Sequence, residues 1–224
     1  MVEPSKRRFA RPCSLTPKER VKMSELFSVV PQHSETVQGI TPIQSRHANT
    51  AFSSDRIGLR ELPLCGQFNL RIKPDNAEQM AIAASMLGGD LPTQVLTSVV
   101  HGDVRINWVA PDDWLVIMPW DQARTFEADY RAKQVGHYSI VDISGGQTLV
   151  ELSGPAARAV LKKSTPVDVH PDAFAIGKTV GTAFAKSAAS ITRTDSDCYL
   201  LVIRRSFADY LWDWLLDASA EFRG

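Results

Sequence analysis

The sequence predicts an α+β domain built from two quasi-repeated units of antiparallel strands and helices. Two observations lead to this prediction. A strand entered through Gly-Gln occurs at residues 65–72 and again at 145–152, and each copy precedes a proline-containing turn and a helical pattern. A second strand, which runs into a helix, occurs at residues 114–118 and again at 199–203. Because these features recur in the same order, we interpret the chain as an internal duplication.

The first unit covers residues 57–136. Its expected elements are strands at 59–62 and 65–72, a helix at 76–87, a hairpin of 94–100 with 103–109, a strand at 114–118 and a helix at 121–134. Phe68, Leu70 and Ile72 alternate on one face of their strand, as in a half-buried strand. Asp121 is a favourable N-cap residue, so we expect the last helix of this unit to begin there.

The second unit covers residues 137–221. Its expected elements are strands at 138–143 and 145–152, a helix at 155–163, a hairpin of 179–185 with 187–193, a strand at 199–203 and a helix at 206–218. Ser206 and Asp209 form a capping-box pattern at the start of this terminal helix. Five extra residues lie in the loop 168–178. Two such units predict mostly antiparallel sheets with helices on one face.

The terminal helix is more apolar than a surface helix requires. Its main apolar stripe consists of Phe207, Leu211, Trp214, Leu215 and Ala218. Trp212 and Leu216 lie outside this stripe and widen the apolar arc to roughly 240°, where a one-sided helix needs about 100°. The corresponding residues of the first unit, Glu127 and Arg131, form a charged i,i+4 pair typical of a solvated face. We therefore expect a second neighbour, which is either a partner protein or a lid formed by residues 23–56.

Composition restricts the function classes. The chain has 224 residues, 44% hydrophobic and 22% charged, with a formal net charge of zero, which favours neither nucleic acid nor a membrane as partner. Residues 1–22 carry a net charge of +5, and we interpret them as a disordered tail or as a start codon assigned too early, before Met23. Residues 1–56 as a whole are expected to be disordered or extended. Three cysteines without CxxC spacing favour a reducing compartment, with cytoplasm as the default.

No catalytic pattern stands out along the chain. GxSxG, GxGxxG and GxxxxGK[ST] are all missing, so neither a nucleophile elbow nor a nucleotide loop is supported. Asp168, His170 and Asp172 alternate as in a metal loop, but no second ligand cluster accompanies them, so we expect a structural loop. Arg204 and Arg205 could clamp a carboxylate or phosphate, pair with a neighbouring helix, or contact a partner. We expect no catalytic, cofactor-binding or metal-binding residues in this chain.

Several segments resemble the gamma subunit family of heterotetrameric sarcosine oxidase. The matching segments are residues 59–64, 111–115, 141–155, 168–174 and 203–214. The run Arg-Arg-Ser-Phe-Ala-Asp-Tyr at 204–210 is the most specific of them, and the resemblance extends from about residue 57 to 221. The small subunit of N-methylglutamate dehydrogenase is similar in the same segments.

The resemblance implies a fold similar to the folate-binding domain of glycine-cleavage aminomethyltransferase. It also implies partners, the alpha, beta and delta subunits, in a complex that oxidises sarcosine to glycine and transfers the one-carbon unit to tetrahydrofolate. FAD, FMN, NAD and zinc are implied for those partner subunits, with none for this chain. The interface candidates are then Trp212, Leu216, Arg204 and Arg205. An independent folate-binding or one-carbon transfer protein is the alternative, with the loop 168–178 and Arg204–Arg205 as candidate places for a pocket.

Overall fold

The computed structural model describes residues 39–44 and 50–223, and the predictions for residues 1–22 lie outside these ranges. The described residues form eleven strands and four α-helices. The elements preceding the second copy are β1 (Phe52–Ser53), β2 (Gly58–Glu61), β3 (Cys65–Arg71), α1 (Ala77–Leu87), β4 (Ser98–His101), β5 (Val104–Ala110), β6 (Asp113–Pro119) and α2 (Trp120–Lys133). Apart from β1, each was expected from the sequence.

The second copy repeats this order of elements. It contains β7 (Ser139–Asp142), β8 (Gln147–Ser153), α3 (Ala157–Ser164), β9 (Thr179–Phe184), β10 (Ser187–Asp195), β11 (Cys198–Arg204) and α4 (Ala208–Ala218). The α+β prediction is confirmed, with both sheets antiparallel throughout their described pairings.

The two copies exchange their first strands. One sheet has the strand order β1-β2-β8-β11-β10-β9 and the other β4-β5-β6-β3-β7. Thus β2, from the first copy, pairs with β8 of the second copy, and β7, from the second copy, pairs with β3 of the first. Neither sheet is completed by one copy alone, so the chain folds as one unit across its two halves.

The pairing register corrects the alignment of the repeats. Phe68 on β3 pairs with Val116 on β6, while Val150 on β8 pairs with Leu201 on β11. Since Val116 and Leu201 are equivalent, Phe68 corresponds to Val150 and not to Thr148. The sequence alignment was therefore wrong by two residues. A shift of two leaves every side chain on the same face of a strand, so the predicted inward positions were still correct.

Two of the predicted helix starts are wrong. Pro119 occupies the N-cap of α2, because β6 runs straight into the helix without a turn, and Asp121 lies within the first turn. At the terminal helix, a 3-10 turn at Arg205–Phe207 precedes α4, and Phe207 is the N-cap residue. Ser206 therefore has a helical backbone and does not provide the extended N-cap that a capping box needs.

The sheets and helices form four layers. One core lies between α3, α4 and the six-stranded sheet, and contains Tyr199, Leu201 and Leu211 among its buried residues. A second core, which includes Phe68 and Tyr130, lies between α1, α2 and the five-stranded sheet. The opposite faces of the two sheets meet in a third, smaller cluster of Leu115, Ile117, Leu149, Leu200 and Val202. Each sheet thus has helices on one face and the other sheet on its second face.

The described part of the N-terminal segment packs against this structure. The compact unit begins at Gly39, and Ile43 is only 2% exposed in the core beneath α4. The Glu61 carboxylate anchors this segment: it accepts hydrogen bonds from the backbone N–H of Gln44 at 2.9 Å and from the Thr148 hydroxyl at 2.7 Å. Residues 39–44 are therefore tied to both β2 and β8.

The two copies also meet at a pair of equivalent loops. The N–H of Ser98 donates to the Gly177 carbonyl at 2.7 Å, and the N–H of Thr179 donates to the Leu96 carbonyl at 2.9 Å. Leu96 and Gly177 both have a left-handed backbone, with φ of 60° and 83°. The duplication thus extends to backbone conformation, although only the second copy has the glycine that this conformation favours.

Candidate functional site

Trp212 lies in the interior of the chain. It is 1% exposed, and its indole Nε1–H donates a hydrogen bond to the Thr50 hydroxyl at 2.7 Å. Leu216 is half-buried and packs against the same core. The expectation that Trp212 faces a partner is therefore wrong, because the chain's own N-terminal segment covers it. The alternative, a lid within the chain, describes this residue correctly.

The equivalent helix α2 has the solvated face that was expected. Arg131 donates to the Glu127 carboxylate at 2.7 Å, and both side chains are substantially exposed. Ala123 and Phe126 are buried on α2 at the positions that Ala208 and Leu211 occupy on α4. The two helices therefore present equivalent faces to their sheets and differ on the outside.

An exposed surface remains at the start of the terminal helix. It consists of Arg204, Arg205, Phe207 and Tyr210, and is called here the Arg–aromatic surface. Phe207 is 41% exposed and Tyr210 is 37% exposed, so Phe207 is not part of the buried stripe that the helical wheel predicted. The sequence identified Arg204 and Arg205 as interface candidates but not Phe207 and Tyr210. Phe207 precedes the regular helix, where the 3-10 turn displaces its side chain from the wheel.

The first copy has polar residues at the same positions. Gln122 and Thr125 on α2 correspond to Phe207 and Tyr210, and both are exposed. The fold therefore does not require aromatic side chains there. Arginine and tyrosine are among the residues enriched at energetically important interface positions. The arrangement is suited to contact with another protein.

A cleft of about 550 Å³ lies between the two sheets. On the five-stranded sheet its wall is a row across three strands, in which Leu115 pairs with both Asn69 and Asn107. On the six-stranded sheet the facing row is Val202, Ser190 and Gly181. Arg204 lines the cleft whereas Arg205 does not, and the Arg205 guanidinium instead donates to the Ile40 carbonyl at 3.4 Å.

Polar groups occupy one side of the cleft. Asn107 is 1% exposed, and its Nδ2 is 3.5 Å from the hydroxyl of Thr192, which in turn lies 2.8 Å from the Thr179 hydroxyl. Beside them, Asn69 donates to Asp113 at 2.5 Å, and burial raises the pKa of the Asp113 carboxyl. Buried polar groups are normally hydrogen-bonded, and this network satisfies most of these.

The loop 168–178 lies outside this cleft. The His170 Nδ1 is 3.4 Å from the Asp172 carboxylate, and the Asp168 carboxylate accepts from the His170 N–H at 2.9 Å. Both side chains of the His170–Asp172 pair are exposed. Among residues 39–44 and 50–223 there is no cluster of three or more His, Cys, Asp or Glu side chains that could hold a metal ion. The loop and Arg204, both predicted as places for a pocket, therefore do not line one site.

The two described cysteines are not activated thiols. Burial raises the pKa of Cys65 to about 11, and burial also raises the pKa of Cys198. A nucleophilic cysteine needs the opposite shift, toward the thiolate at neutral pH.

In the described part of the chain, no helix is long and apolar enough to cross a membrane.

Known protein sequences match this chain over most of its length. The sequence profile of the sarcosine oxidase, gamma subunit family matches residues 73–221. A sarcosine oxidase subunit gamma from Arthrobacter sp. is 34% identical over 167 residues, which cover 73% of this chain and 80% of the relative. A protein of the same name from Corynebacterium sp. (strain P-1) is 33% identical over 174 residues, with 74% and 81% covered.

Solved structures agree with this comparison. A chain of the heterotetrameric sarcosine oxidase from Corynebacterium sp. U-96, in complex with pyrrole 2-carboxylate, superposes with a TM-score of 0.72 and is 27% identical. The match covers 83% of this chain and 97% of that one. The glycine cleavage system aminomethyltransferase T from Bartonella henselae matches with a TM-score of 0.52 at 16% identity, over 72% of this chain and 45% of that one, and shares the fold.

Proposed function

Since this chain belongs to the sarcosine oxidase gamma subunit family, we propose that it is a non-catalytic subunit of a heterotetrameric flavoenzyme that oxidises sarcosine to glycine. The complex would also transfer the one-carbon unit to tetrahydrofolate. In this proposal the subunit has a structural role and binds the alpha, beta and delta subunits in the cytoplasm. The reaction would take place on those partners, which would carry FAD, FMN, NAD and zinc and bind tetrahydrofolate.

The observation that carries the proposal is the Arg–aromatic surface. Phe207 and Tyr210 stand exposed on a helix whose first-copy equivalent has Gln122 and Thr125 at the same places. Exposed aromatic side chains next to arginine are the combination that protein interfaces favour. This surface replaces Trp212 as the main docking candidate, and it retains Arg204 and Arg205 from the sequence prediction. Leu216 is half-buried and at most borders an interface.

The properties of the two described cysteines are consistent with the proposed non-catalytic role. Cys65 and Cys198 have raised pKa values, and the histidine nearest a carboxylate, His170, lies on an exposed loop. General acid–base and nucleophilic catalysis need groups with matched pKa values in a protected site. Cys65, Cys198 and His170 are therefore not suited to these roles.

The experiment is co-expression of the full chain with the alpha, beta and delta subunits. The test variant is Phe207→Gln combined with Tyr210→Thr, which places the first-copy residues on the terminal helix. We expect the variant to fold with an unchanged melting temperature and to assemble at least about tenfold more weakly, because aromatic interface residues often contribute over 2 kcal/mol. The matched control replaces the equivalent residues of α2 by alanine, in the double variant Gln122→Ala with Thr125→Ala. This control should assemble normally.

Two outcomes would contradict the proposal. Normal assembly of the double variant would exclude the Arg–aromatic surface as the docking site. A wild-type chain that remains monomeric beside its partners would favour the alternative of an independent folate-binding or one-carbon transfer protein.

The substrate of the complex requires a separate measurement. The curated relatives are named for sarcosine, which favours sarcosine over the larger N-methylglutamate. Oxidation rates of the assembled complex with each N-methyl amino acid distinguish the two. A strong preference for N-methylglutamate would assign the chain to the equivalent subunit of N-methylglutamate dehydrogenase.

A further inference from the structure

We propose that a second cleft, lined by Arg105 and bordered by Trp120, docks a partner subunit through an acidic side chain of that partner, Asp or Glu, flanked by apolar residues. The inference rests on the proposed docking role and adds to it a second contact surface and the chemistry of the partner. It is carried by an arginine that has no carboxylate partner among the described residues, by the apolar walls around it and by an exposed tryptophan at its rim.

This Arg105 cleft has a volume of about 450 Å³ and is the repeat counterpart of the cleft that Arg204 lines. Arg105 pairs with Ile117 on β6, and Ser190, which lines the other cleft, pairs with Val202 on β11. These two pairs occupy equivalent positions, so the fold accepts serine where the first copy has arginine. The guanidinium is therefore not required to build the sheet.

Arg105 is half-buried, and among the described residues it forms no ion pair. Its Nη1 donates to the Ser98 hydroxyl at 3.1 Å. Two carboxylates line the same cleft, but Glu151 is bound to Arg60 at 2.7 Å, and Asp103 lies on an exposed hairpin turn. The other guanidinium nitrogens are not among the atoms that are closed off from solvent. They can therefore donate to a group that enters the cleft.

The charge of Arg105 is poorly solvated where it lies. Burial lowers the pKa of Arg105, because surroundings of low polarity disfavour the charged guanidinium. An incoming carboxylate offsets this cost with charge-assisted hydrogen bonds, and the planar guanidinium matches the geometry of a carboxylate. A neutral or basic group offers no such compensation. Charge complementarity thus selects an acidic occupant.

The apolar surface around Arg105 extends past the cleft itself. The floor includes Ile117 and Leu200, both buried between the sheets. At the rim, Trp120 is 44% exposed, and Pro63, which also lines the cleft, is exposed. A small carboxylate would fill the cavity and leave the indole in water, whereas a polypeptide segment covers both. Tryptophan and arginine are also enriched at energetically important interface positions, so we infer a polypeptide occupant.

The first test is co-expression of the full chain with the alpha, beta and delta subunits. Arg105→Ser introduces the residue of the second copy. It should keep the melting temperature and weaken assembly at least about tenfold, because the partner's carboxylate loses its counter-charge. The control Arg124→Ser, on the exposed side of α2, makes the same charge change outside the cleft and should alter assembly less than about twofold. Equal effects of the two variants, or normal assembly of Arg105→Ser, would overturn the proposal.

A cross-linking experiment identifies the occupant. Trp120 is replaced by the photo-cross-linker p-benzoylphenylalanine in the co-expressed complex, which should then cross-link to a partner segment that contains Asp or Glu beside an apolar residue. Changing that acidic residue to Arg should weaken assembly, and adding Arg105→Glu should restore at least about threefold of the loss. A cross-link to a segment without an acidic residue, a cross-link to a second copy of this chain, or failure of the reversed pair would each contradict the inference.

The Arg–aromatic surface and the Arg105 cleft can fail separately. Normal assembly of Arg105→Ser beside impaired assembly of the Phe207→Gln, Tyr210→Thr double variant keeps the docking role and rejects the Arg105 cleft. A wild-type chain that never assembles rejects both. Calorimetric titration of the full chain with benzoate tests a small carboxylate as occupant. Saturable binding that Arg105→Ser abolishes, together with normal assembly of that variant, would assign the cleft to a small molecule and overturn the docking inference.

Discussion

The helices α2 and α4 occupy equivalent places in the two copies and have opposite outer faces. On α2 the outer side carries the exposed Glu127–Arg131 ion pair. On α4 the equivalent of Glu127 is Trp212, which is buried beneath residues that precede the duplicated region. The duplicated fold accepts either a charge or an indole at this position. What decides between them is whether another part of the chain covers the helix.

The same comparison separates two kinds of apolar residue on α4. A large apolar side chain is favourable at Trp212 because the N-terminal segment covers this position. Phe207 and Tyr210 are apolar although the described part of the chain leaves them exposed. Since Gln122 and Thr125 serve equally well at these positions in the first copy, fold stability does not explain the aromatic residues. A function outside the fold, which we propose to be docking, explains them.

Replacement of Trp212 by its first-copy counterpart is expected to have the largest effect on stability. The variant Trp212→Glu removes a buried indole and places a carboxylate in the core. Large-to-small changes at buried aromatic positions cost about 3–5 kcal/mol, and an unpaired buried charge adds to this. We expect unfolding free energy, measured by urea denaturation, to fall by at least about 4 kcal/mol.

The reverse exchange is its control. Glu127→Trp places an indole on an exposed face and removes one surface ion pair, which should change stability by less than about 1 kcal/mol. A Trp212→Glu variant that keeps wild-type stability would show that the N-terminal segment leaves the helix in solution, and the partner-facing interpretation of Trp212 would return.

Removal of the Thr50 hydroxyl tests the same contact between the N-terminal segment and Trp212 with a smaller change. Thr50→Val keeps the shape of the side chain but removes the acceptor for the indole N–H. A buried donor without a partner costs about 1–3 kcal/mol, so we expect a loss of about 2 kcal/mol in urea denaturation. Thr50→Ser keeps the hydroxyl and should remain within about 1 kcal/mol of wild type. Equal stability of the Val and Ser variants would contradict this contact.

The equivalent loop residues Leu96 and Gly177 allow the backbones of the two copies to be compared. Gly177→Ala introduces a Cβ at a φ of 83°, with the Ser98 carbonyl oxygen 3.4 Å away. A left-handed conformation costs a residue with a side chain about 1–2 kcal/mol, so we expect a loss of about 1 kcal/mol. Gly181→Ala, in open space on a strand, should instead be neutral or slightly stabilising. Similar losses for both alanine variants would refute the backbone explanation.

The smallest effect concerns the first residue of β3, where the second copy has Gln147 in place of Cys65. Burial raises the pKa of Cys65 to about 11 from an ordinary value of 9.0. Between these values the unfolded thiol ionises before the folded one, so this contribution to stability is lost as pH rises. The decline in unfolding free energy from pH 8 to about pH 10.5 should be shallower in Cys65→Ala than in wild type. Parallel profiles would indicate that the thiol is accessible to water.

The order of elements was readable from the sequence because alternation and helical periodicity are local properties of the chain. The two-residue error in aligning β3 with β8 did not matter for burial, because strand periodicity is two. The cap predictions failed at Asp121 and Ser206 because a strand running directly into a helix, or through a 3-10 turn, moves the first helical residue. Short-range signals mark where a helix is favoured, but the incoming strand determines where it begins.

The site was predicted only in part, for a different reason. Trp212 was recognised as unusual from the repeat comparison, but its neighbour is Thr50, 162 residues away, and no local pattern reveals such a contact. Arg204 and Arg205 look alike in sequence, yet Arg204 ends β11 and lines the cleft, whereas Arg205 begins the 3-10 turn and its guanidinium donates to the Ile40 carbonyl. Asn107 was not singled out, since a polar residue in an alternating strand normally faces water.

The exchange of first strands has a consequence for how the chain is made. Arg60 on β2 and its ion-pair partner Glu151 on β8 lie 91 residues apart, so β2 leaves the ribosome long before its partner strand exists. Until then β2 has an open edge, and open edges pair readily with other chains. A fragment ending before Gln147 would therefore be an aggregation-prone intermediate and not a smaller version of the protein. The two halves look alike, but each needs the other to complete its sheet.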